Sequence, residues 1–289
     1  MGSPPQYGIE IRTLGKFEVI IDGRPIVRWR AGKARDLLQY LLLRPGCVIP
    51  RDVLFEALWP ELDAPRSSLK VAIHMLRNAL MMKRPATAEH TSEIRIITHE
   101  CGYSIETSNV WVDFIEFDSL IRQAQQRDNS AMSEDAIADL SAATDLYQGD
   151  FLPGTTTHWA EPHREWLRSL ALSALGRLVT ISARAGEDLQ VIHYGRKVLE
   201  IDPLHEETYR MLIGMHGKLG QISQADRWYR LCASRLQDSL GVSPTDMTRS
   251  VYSRAVSREL ITPRELDPNL TVPITEGSRR LCQKSRLPI

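Results

Sequence analysis

Along the first third of the chain the hydrophobic period changes repeatedly. Ile9 and Ile11, then Phe17, Val19 and Ile21, fall on alternating positions, which predicts two short strands. Asp22-Gly23 is a turn signal before a further extended piece over 26–29. Leu37, Leu38, Leu41 and Leu42 then recur at helical spacing, so a helix is expected from about Gly32 until Pro45-Gly46 stops it. A second helix is predicted from about Arg51 to Leu58, with Val53, Leu54, Ala57 and Leu58 inward and Pro60 ending it; 60–66 reads as a loop. Ser67 or Ser68 caps a third helix over 67–80, whose inner stripe is Leu69, Ile73, Leu76 and Leu80. After a polar segment over 85–92 come two β-type pieces, 94–98 and 103–105, joined through Glu100, Cys101 and Gly102. Strands, three helices and a hairpin in this order make a winged helix-turn-helix by pattern. The third helix takes the recognition position and the hairpin is its wing.

From about Val112 to Leu260 the pattern is helical. Phe114, Phe117, Leu120, Ile121 and Ala124 mark one amphipathic helix, and Ala136, Leu140, Ala143 and Tyr147 mark the next, ending near Gly149. A long helical stretch follows from about Glu161 to Ala185. Gly186 and Gly220 then stand 34 residues apart, the tetratricopeptide period, with Val191 matching Ala225 and Tyr194 matching Trp228. Asp202-Pro203 closes the first of these helices. Helix pairs that cannot bury a face alone stack into a solenoid; a plain helical bundle is the alternative. The expected fold is therefore mainly α: an N-terminal winged helix-turn-helix (α+β) followed by an all-α tetratricopeptide-like domain. Its expected divisions are a disordered 1–8, a DNA-binding domain over 9–110, a helical domain over 111–261 and a disordered tail over 262–289. In the tail Pro263, Pro268, Pro273 and Pro288 are spread among polar residues.

Charge adds to this picture by its placement, because the formal net charge is +0. Arg24, Arg28, Arg30, Lys33 and Arg35 follow one another without an acid between them. No acid occurs between Asp63 and Glu89 either, where Arg66, Lys70, Arg77, Lys83 and Arg84 lie. A neutral total can hide a binding face of this kind. Ser67, Lys70, Val71, His74, Arg77 and Asn78 fall on or beside the outer face of the third helix. Donors around a small apolar side chain are what a major groove accepts.

Other chemistry is thin. Cys47, Cys101, Cys232 and Cys282 show no CxxC spacing and read as reduced thiols, with neither a disulfide framework nor a zinc site. The N-terminus lacks a signal-peptide pattern, and the apolar run over 37–43 is too short for a bilayer. A cytoplasmic, nucleoid-associated protein is expected. Gly32-Lys33 is similar to the end of a phosphate loop, but Val27 stands where glycine is needed and Ala34 where serine or threonine is. His158, Glu161 and His163, beside Trp159, fit no common zinc spacing and suit packing at a helix start. No nucleophile elbow occurs. The expectation is a protein that is not an enzyme, with no cofactor and no metal. His193, Tyr194, Tyr209, Met215 and Trp228 are assigned to the core of the helical part rather than to a pocket. The rival to DNA binding is a protein-interaction adaptor, in which the solenoid binds peptides and the winged helix is structural only.

Two motif sets carry a family resemblance. Leu58-Trp59-Pro60, Leu76-Arg77-Asn78-Ala79-Leu80 and Gly102-Tyr103 resemble the OmpR-type winged helix. Val112-Asp113 with Phe117, Leu146-Tyr147-Gln148-Gly149-Asp150, Asp202-Pro203-Leu204 with Glu206, Gly220, and Leu240-Gly241-Val242-Ser243-Pro244 resemble the bacterial transcriptional activation domain. In this order, over about residues 9–260, the chain is similar to a small member of the Streptomyces antibiotic regulatory protein family. The resemblance implies an activator of pathway genes, often those of antibiotic biosynthesis. Such an activator binds double-stranded DNA at promoter direct repeats as a homodimer on DNA, recruits RNA polymerase including its sigma factor, and meets no membrane. It places Val71, His74 and Arg77 in the major groove or against its edges, with a phosphate as the alternative partner of Arg77. Ser67, Lys70 and Trp59 fall to the DNA backbone, and Asn78 and Tyr103 complete the DNA-binding set. His99 stands at the wing position where relatives often place a minor-groove arginine. Glu61, Asp63 and Arg66 belong to the loop that meets polymerase in related proteins.

Overall fold

The computed structural model describes residues 8–26, 29, 32–60, 67–81, 92–127, 133–155 and 157–257. Seven strands and ten helices occur among them, in the order β1 (Ile9–Arg12), β2 (Glu18–Ile21), β3 (Arg24–Pro25), α1 (Gly32–Leu42), β4 (Ile49–Pro50), α2 (Arg51–Leu58), α3 (Ser67–Met81), β5 (Glu93–Thr98), β6 (Gly102–Ser108), β7 (Val110–Val112), α4 (Asp113–Arg127), α5 (Glu134–Leu146), α6 (Glu161–Ala185), α7 (Asp188–Ile201), α8 (Glu206–Lys218), α9 (Ile222–Leu240) and α10 (Asp246–Ser257). They form two compact units. The first holds the residues up to Ser119 together with Leu146–Leu167; the second holds Leu120–Asp145 and the residues from Arg168 onward. The tail expected over 262–289 and residues 1–7 lie outside the described residues. None of the described helices is long and apolar enough to cross a membrane.

The first unit is organised by leucine stripes. Leu37, Leu38, Leu41 and Leu42 of α1, Leu54 and Leu58 of α2, and Leu69, Ala72, Ile73 and Leu76 of α3 pack into one core with Ile49, Ile96, Tyr103 and Ile105 of the wing sheet. Val53, expected inward, is 40% exposed. With apolar residues at 53, 54, 57 and 58 the short helix has two adjacent candidate faces, and packing selects the one through Leu54 and Leu58. The wing is a three-stranded sheet in the order β4-β6-β5, with Ile96 opposite Ile105 and Ile49 opposite Tyr103. Gly102 makes this possible, since a Cβ there would overlap the Ile49 carbonyl oxygen.

A second sheet, β3-β2-β1-β7, is antiparallel except that β7 runs parallel to β1. Asp22 and Gly23 both have positive φ (47° and 73°), the conformation of a tight hairpin turn between β2 and β3. Where β1 ends, the Asp113 carboxylate accepts hydrogen bonds from Thr13 N (2.6 Å), Thr13 Oγ1 (2.6 Å) and Leu14 N (2.9 Å). It also accepts one from Phe114 N (2.8 Å) at the start of α4. Burial raises the Asp113 pKa above its ordinary value, against the pull of these donors. The neighbouring turn receives the Leu146–Asp150 motif. Gly15 N donates to Asp150 O, Leu152 N donates to Thr13 O, and a Cβ on Gly15 would stand 2.7 Å from Gln148 O. Gly15 has φ +81°, so both its backbone and its closeness to Gln148 require glycine.

The second unit contains the helical repeat. Gly186 and Gly220 both turn the chain with left-handed φ (73° and 70°). Val191 and Ala225 are buried, and Tyr194 and Trp228 pack half-buried against one core with Tyr209, Leu212 and Met215. Gly195 lets α8 approach α7 closely, because a Cβ there would stand 2.5 Å from the Met211 Cε. His193, expected in this core, is exposed. It sits one position before Tyr194 on α7, on the outward side of the helix. The fold is thus a winged helix-turn-helix followed by tetratricopeptide-like helices, mainly α in content.

Candidate nucleic-acid interface

Burial on one side of α3 fixes what its other side presents. With Leu69, Ala72, Ile73 and Leu76 inward, Ser67, Lys70, Val71 and His74 are exposed along one stripe at helical spacing. Val71 is 58% exposed. Lys70 makes no ion pair with any described residue. Asn78, one turn beyond His74, donates its Nδ2 hydrogen to His74 Nε2 at 2.9 Å. This bond occupies Nε2, so Nδ1 is the ring nitrogen left for a partner on the exposed stripe.

The remaining predicted residues are placed differently. Arg77 is half-buried, and its Nη2 donates to Ile96 O (2.7 Å) and Thr98 Oγ1 (2.8 Å) on β5. Its guanidinium is therefore bound to the wing and does not stand on the exposed stripe. Tyr103, expected to touch DNA, is 5% exposed and packs in the core. It lies on β6 opposite Ile49, where strand alternation turns its ring inward. His99 is in the hairpin turn; its backbone N–H donates to Gly102 O (2.9 Å), and its Nε2 lies 2.8 Å from Ser104 Oγ. The ring is thus held within the wing. Trp59 ends α2 half-buried, stacked on Phe55 with centroids 5.1 Å apart, while the Lys33 ammonium lies 5.9 Å from its ring centre. Glu61, Asp63 and Arg66 lie outside the described residues.

One residue escaped sequence reasoning. Arg51, the first residue of α2, donates to His99 O (2.9 Å) and to Glu100 O, and its guanidinium lies 5.6 Å from the Tyr103 ring centre. Nothing local marks it, since its partners are 48 and 49 residues away. Elsewhere, His163 is half-buried beside Phe151, with Nδ1 3.3 Å from Trp159 O, and burial lowers its pKa. Among the described residues no group of three or more His, Cys, Asp or Glu side chains is placed to hold a metal ion.

A cation-bearing recognition helix beside a hairpin wing, followed by helical repeats, defines a winged-helix transcriptional regulator. Residues 30–103 match the family described as transcriptional regulatory protein, C terminal, and residues 112–255 match the bacterial transcriptional activator domain. With these two modules in this order, the chain belongs to the Streptomyces antibiotic regulatory protein family. It is 24% identical over 255 residues to the regulatory protein DnrI of Streptomyces peucetius, covering 82% of this chain and 88% of that protein. It is 26% identical over 249 residues to the transcriptional regulator RedD of Streptomyces coelicolor, covering 84% and 67%. The solved structure of Mycobacterium tuberculosis EmbR, in complex with a low affinity phosphopeptide, superposes with a TM-score of 0.63 at 20% identity. That match spans 98% of this chain and 73% of EmbR, and it establishes a shared fold.

Proposed function

We propose that the chain is a pathway-specific activator that binds direct repeats in promoter DNA and recruits RNA polymerase to genes of antibiotic biosynthesis. The observation that carries this reading is the outward stripe of α3, where Ser67, Lys70, Val71 and His74 offer donors and one apolar side chain. In the major groove, His74 with its proton on Nδ1 would suit an acceptor such as a guanine N7 or O6, and Val71 suits a thymine methyl. Lys70 and Ser67 suit the phosphates on either side.

Few base contacts per protomer favour tandem occupancy. A good base contact discriminates by about 1–3 kcal/mol, so two protomers on repeated half-sites multiply a modest preference. Direct repeats call for head-to-tail protomers about 10–10.5 bp apart. The partners are then double-stranded promoter DNA, a second copy of the chain on that DNA, and RNA polymerase with its sigma factor. The polymerase contact falls to the 60–66 loop with Glu61, Asp63 and Arg66, on the strength of the family resemblance. The protein would act in the cytoplasm at the nucleoid.

Selection of genomic fragments by the purified full chain, followed by salt titration on the best fragment, tests this. If two protomers together neutralise about six phosphates, affinity falls roughly a thousandfold between 50 and 200 mM salt. Enrichment of a tandem repeat with such a slope supports the reading. Failure to enrich any fragment at any salt overturns it in favour of an interaction adaptor.

A further inference from the structure

Arg77 belongs to the recognition helix, yet the Nη2 end of its guanidinium is engaged by the wing. We infer that Arg77 is a positioning residue that sets the wing against the recognition helix, and that it reads neither base nor phosphate. This role rests on the DNA-binding reading above.

The acceptors explain why the bond exists. In the sheet order β4-β6-β5, β5 is an edge strand, so carbonyls on its outer side have no ladder partner. Arg77 Nη2 fills the Ile96 carbonyl at 2.7 Å and takes the Thr98 hydroxyl at 2.8 Å. Hydrogen bonds from a charged donor are the stronger kind, and a guanidinium turned toward DNA would give up both. Arg51 holds the other end of the hairpin through the carbonyls of His99 and Glu100. Two arginines from two helices thus grip the wing at its tip and along its edge. Of the two, only Arg77 shares a helix with the exposed stripe, one turn beyond His74. Its span therefore fixes the offset between the surface that enters the major groove and the hairpin that meets the flanking backbone. Base reading falls to positions 67–74, and Arg77 governs where the wing lands.

The test uses full-length Arg77→Met, Arg77→Lys and Thr98→Val on the fragment recovered with the wild-type chain. Hydroxyl-radical footprinting reads the backbone, guanine N7 methylation reads the major groove, and amide hydrogen exchange reads the hairpin. Thr98→Val removes one acceptor at an exposed position and remains informative if the Arg77 variants fold poorly. The expected result is that Arg77→Met weakens binding about tenfold and Thr98→Val about threefold. Protection should be lost on the wing side while guanine protection persists, with faster exchange over 96–102. Lysine should restore little, since its shorter side chain and compact, strongly hydrated ammonium do not place a nitrogen where Nη2 meets both Ile96 O and Thr98 Oγ1. Full rescue by lysine with an unchanged wing footprint would make Arg77 a phosphate contact and overturn the inference. Loss of protection at a single guanine with the wing intact would overturn it as a base reader. If the wild-type chain gives no footprint at all, the DNA-binding reading falls instead. Hairpin exchange in the variants still decides the clamp in that case, and unchanged exchange overturns it.

Discussion

The recognition helix and the wing lie side by side and reach their places by different physics. α3 is seated by a stripe of apolar side chains, Leu69, Ala72, Ile73 and Leu76, that recurs every three or four residues. The wing is also half core, through Ile96, Tyr103 and Ile105, but its hairpin is located by polar bonds from Arg51 and Arg77 to main-chain oxygens and by the Gly102 approach to Ile49. Hydrophobic seating is non-directional and tolerant of small shifts. Hydrogen bonds to carbonyls are directional and fix an angle. A reading head placed by the first and aimed by the second combines strength with orientation.

Substitutions can separate these contributions. The largest effect is expected from Leu76→Ala, at a side chain with 0% exposure. It should destabilise the first unit by about 2–5 kcal/mol in a urea titration. A loss below 1 kcal/mol would show that the stripe does not seat the helix. Gly102→Ala should cost somewhat less, about 2–4 kcal/mol, because the Ile49–Pro50 strand must move away from β6. Its signature should be rapid amide exchange over β4 and β6 with α3 still protected; uniform exchange across the unit would mean that wing and helix are not separable. Lys70→Ala should leave the melting profile unchanged and reduce the slope of log affinity against log salt by about 0.9. An unaltered slope would remove Lys70 from the phosphate contacts. The smallest effect is expected from deleting residues 262–289, which should change operator affinity by no more than about threefold, or 0.6 kcal/mol. Complete loss would make the tail part of the binding surface.

The same contrast governs what could be read from the sequence. The seating of α1, α2 and α3 was legible because leucines repeat with the helical period, and the wing hairpin because its strands flank a glycine turn. The helical repeat was legible through Gly186 and Gly220, whose left-handed turns recur at a fixed spacing. Val53 is misplaced by the sequence pattern because an eight-residue helix with five apolar positions leaves the buried face to tertiary packing. Strand β7 has three residues, too few for a period, and forms only because β1 lies beside it. Within the site, Ser67, Lys70, Val71 and His74 emerged on the expected face. Tyr103 did not, since a family motif names a residue without saying whether it serves packing or contact. The commitment of Arg77 to Ile96 and Thr98 spans 19 and 21 residues and follows no periodicity, so it exists only in the folded chain.

The turn that joins Thr13 and Leu14 to Asp113, and Gly15 to Asp150, bears on the order in which the protein can be made. Those bonds link residues about a hundred positions or more apart. Closing loops of that length is slow, and it is possible only once both ends exist. A ribosome that has extruded the three helices and the wing has therefore not yet released a finished unit. The first strand waits for Asp113, and the 13–15 turn waits for Gln148 to Leu152, which emerge several seconds of synthesis later. The DNA-reading surface thus matures with the start of the activation region, and a nascent chain stopped before it would carry an incompletely closed head.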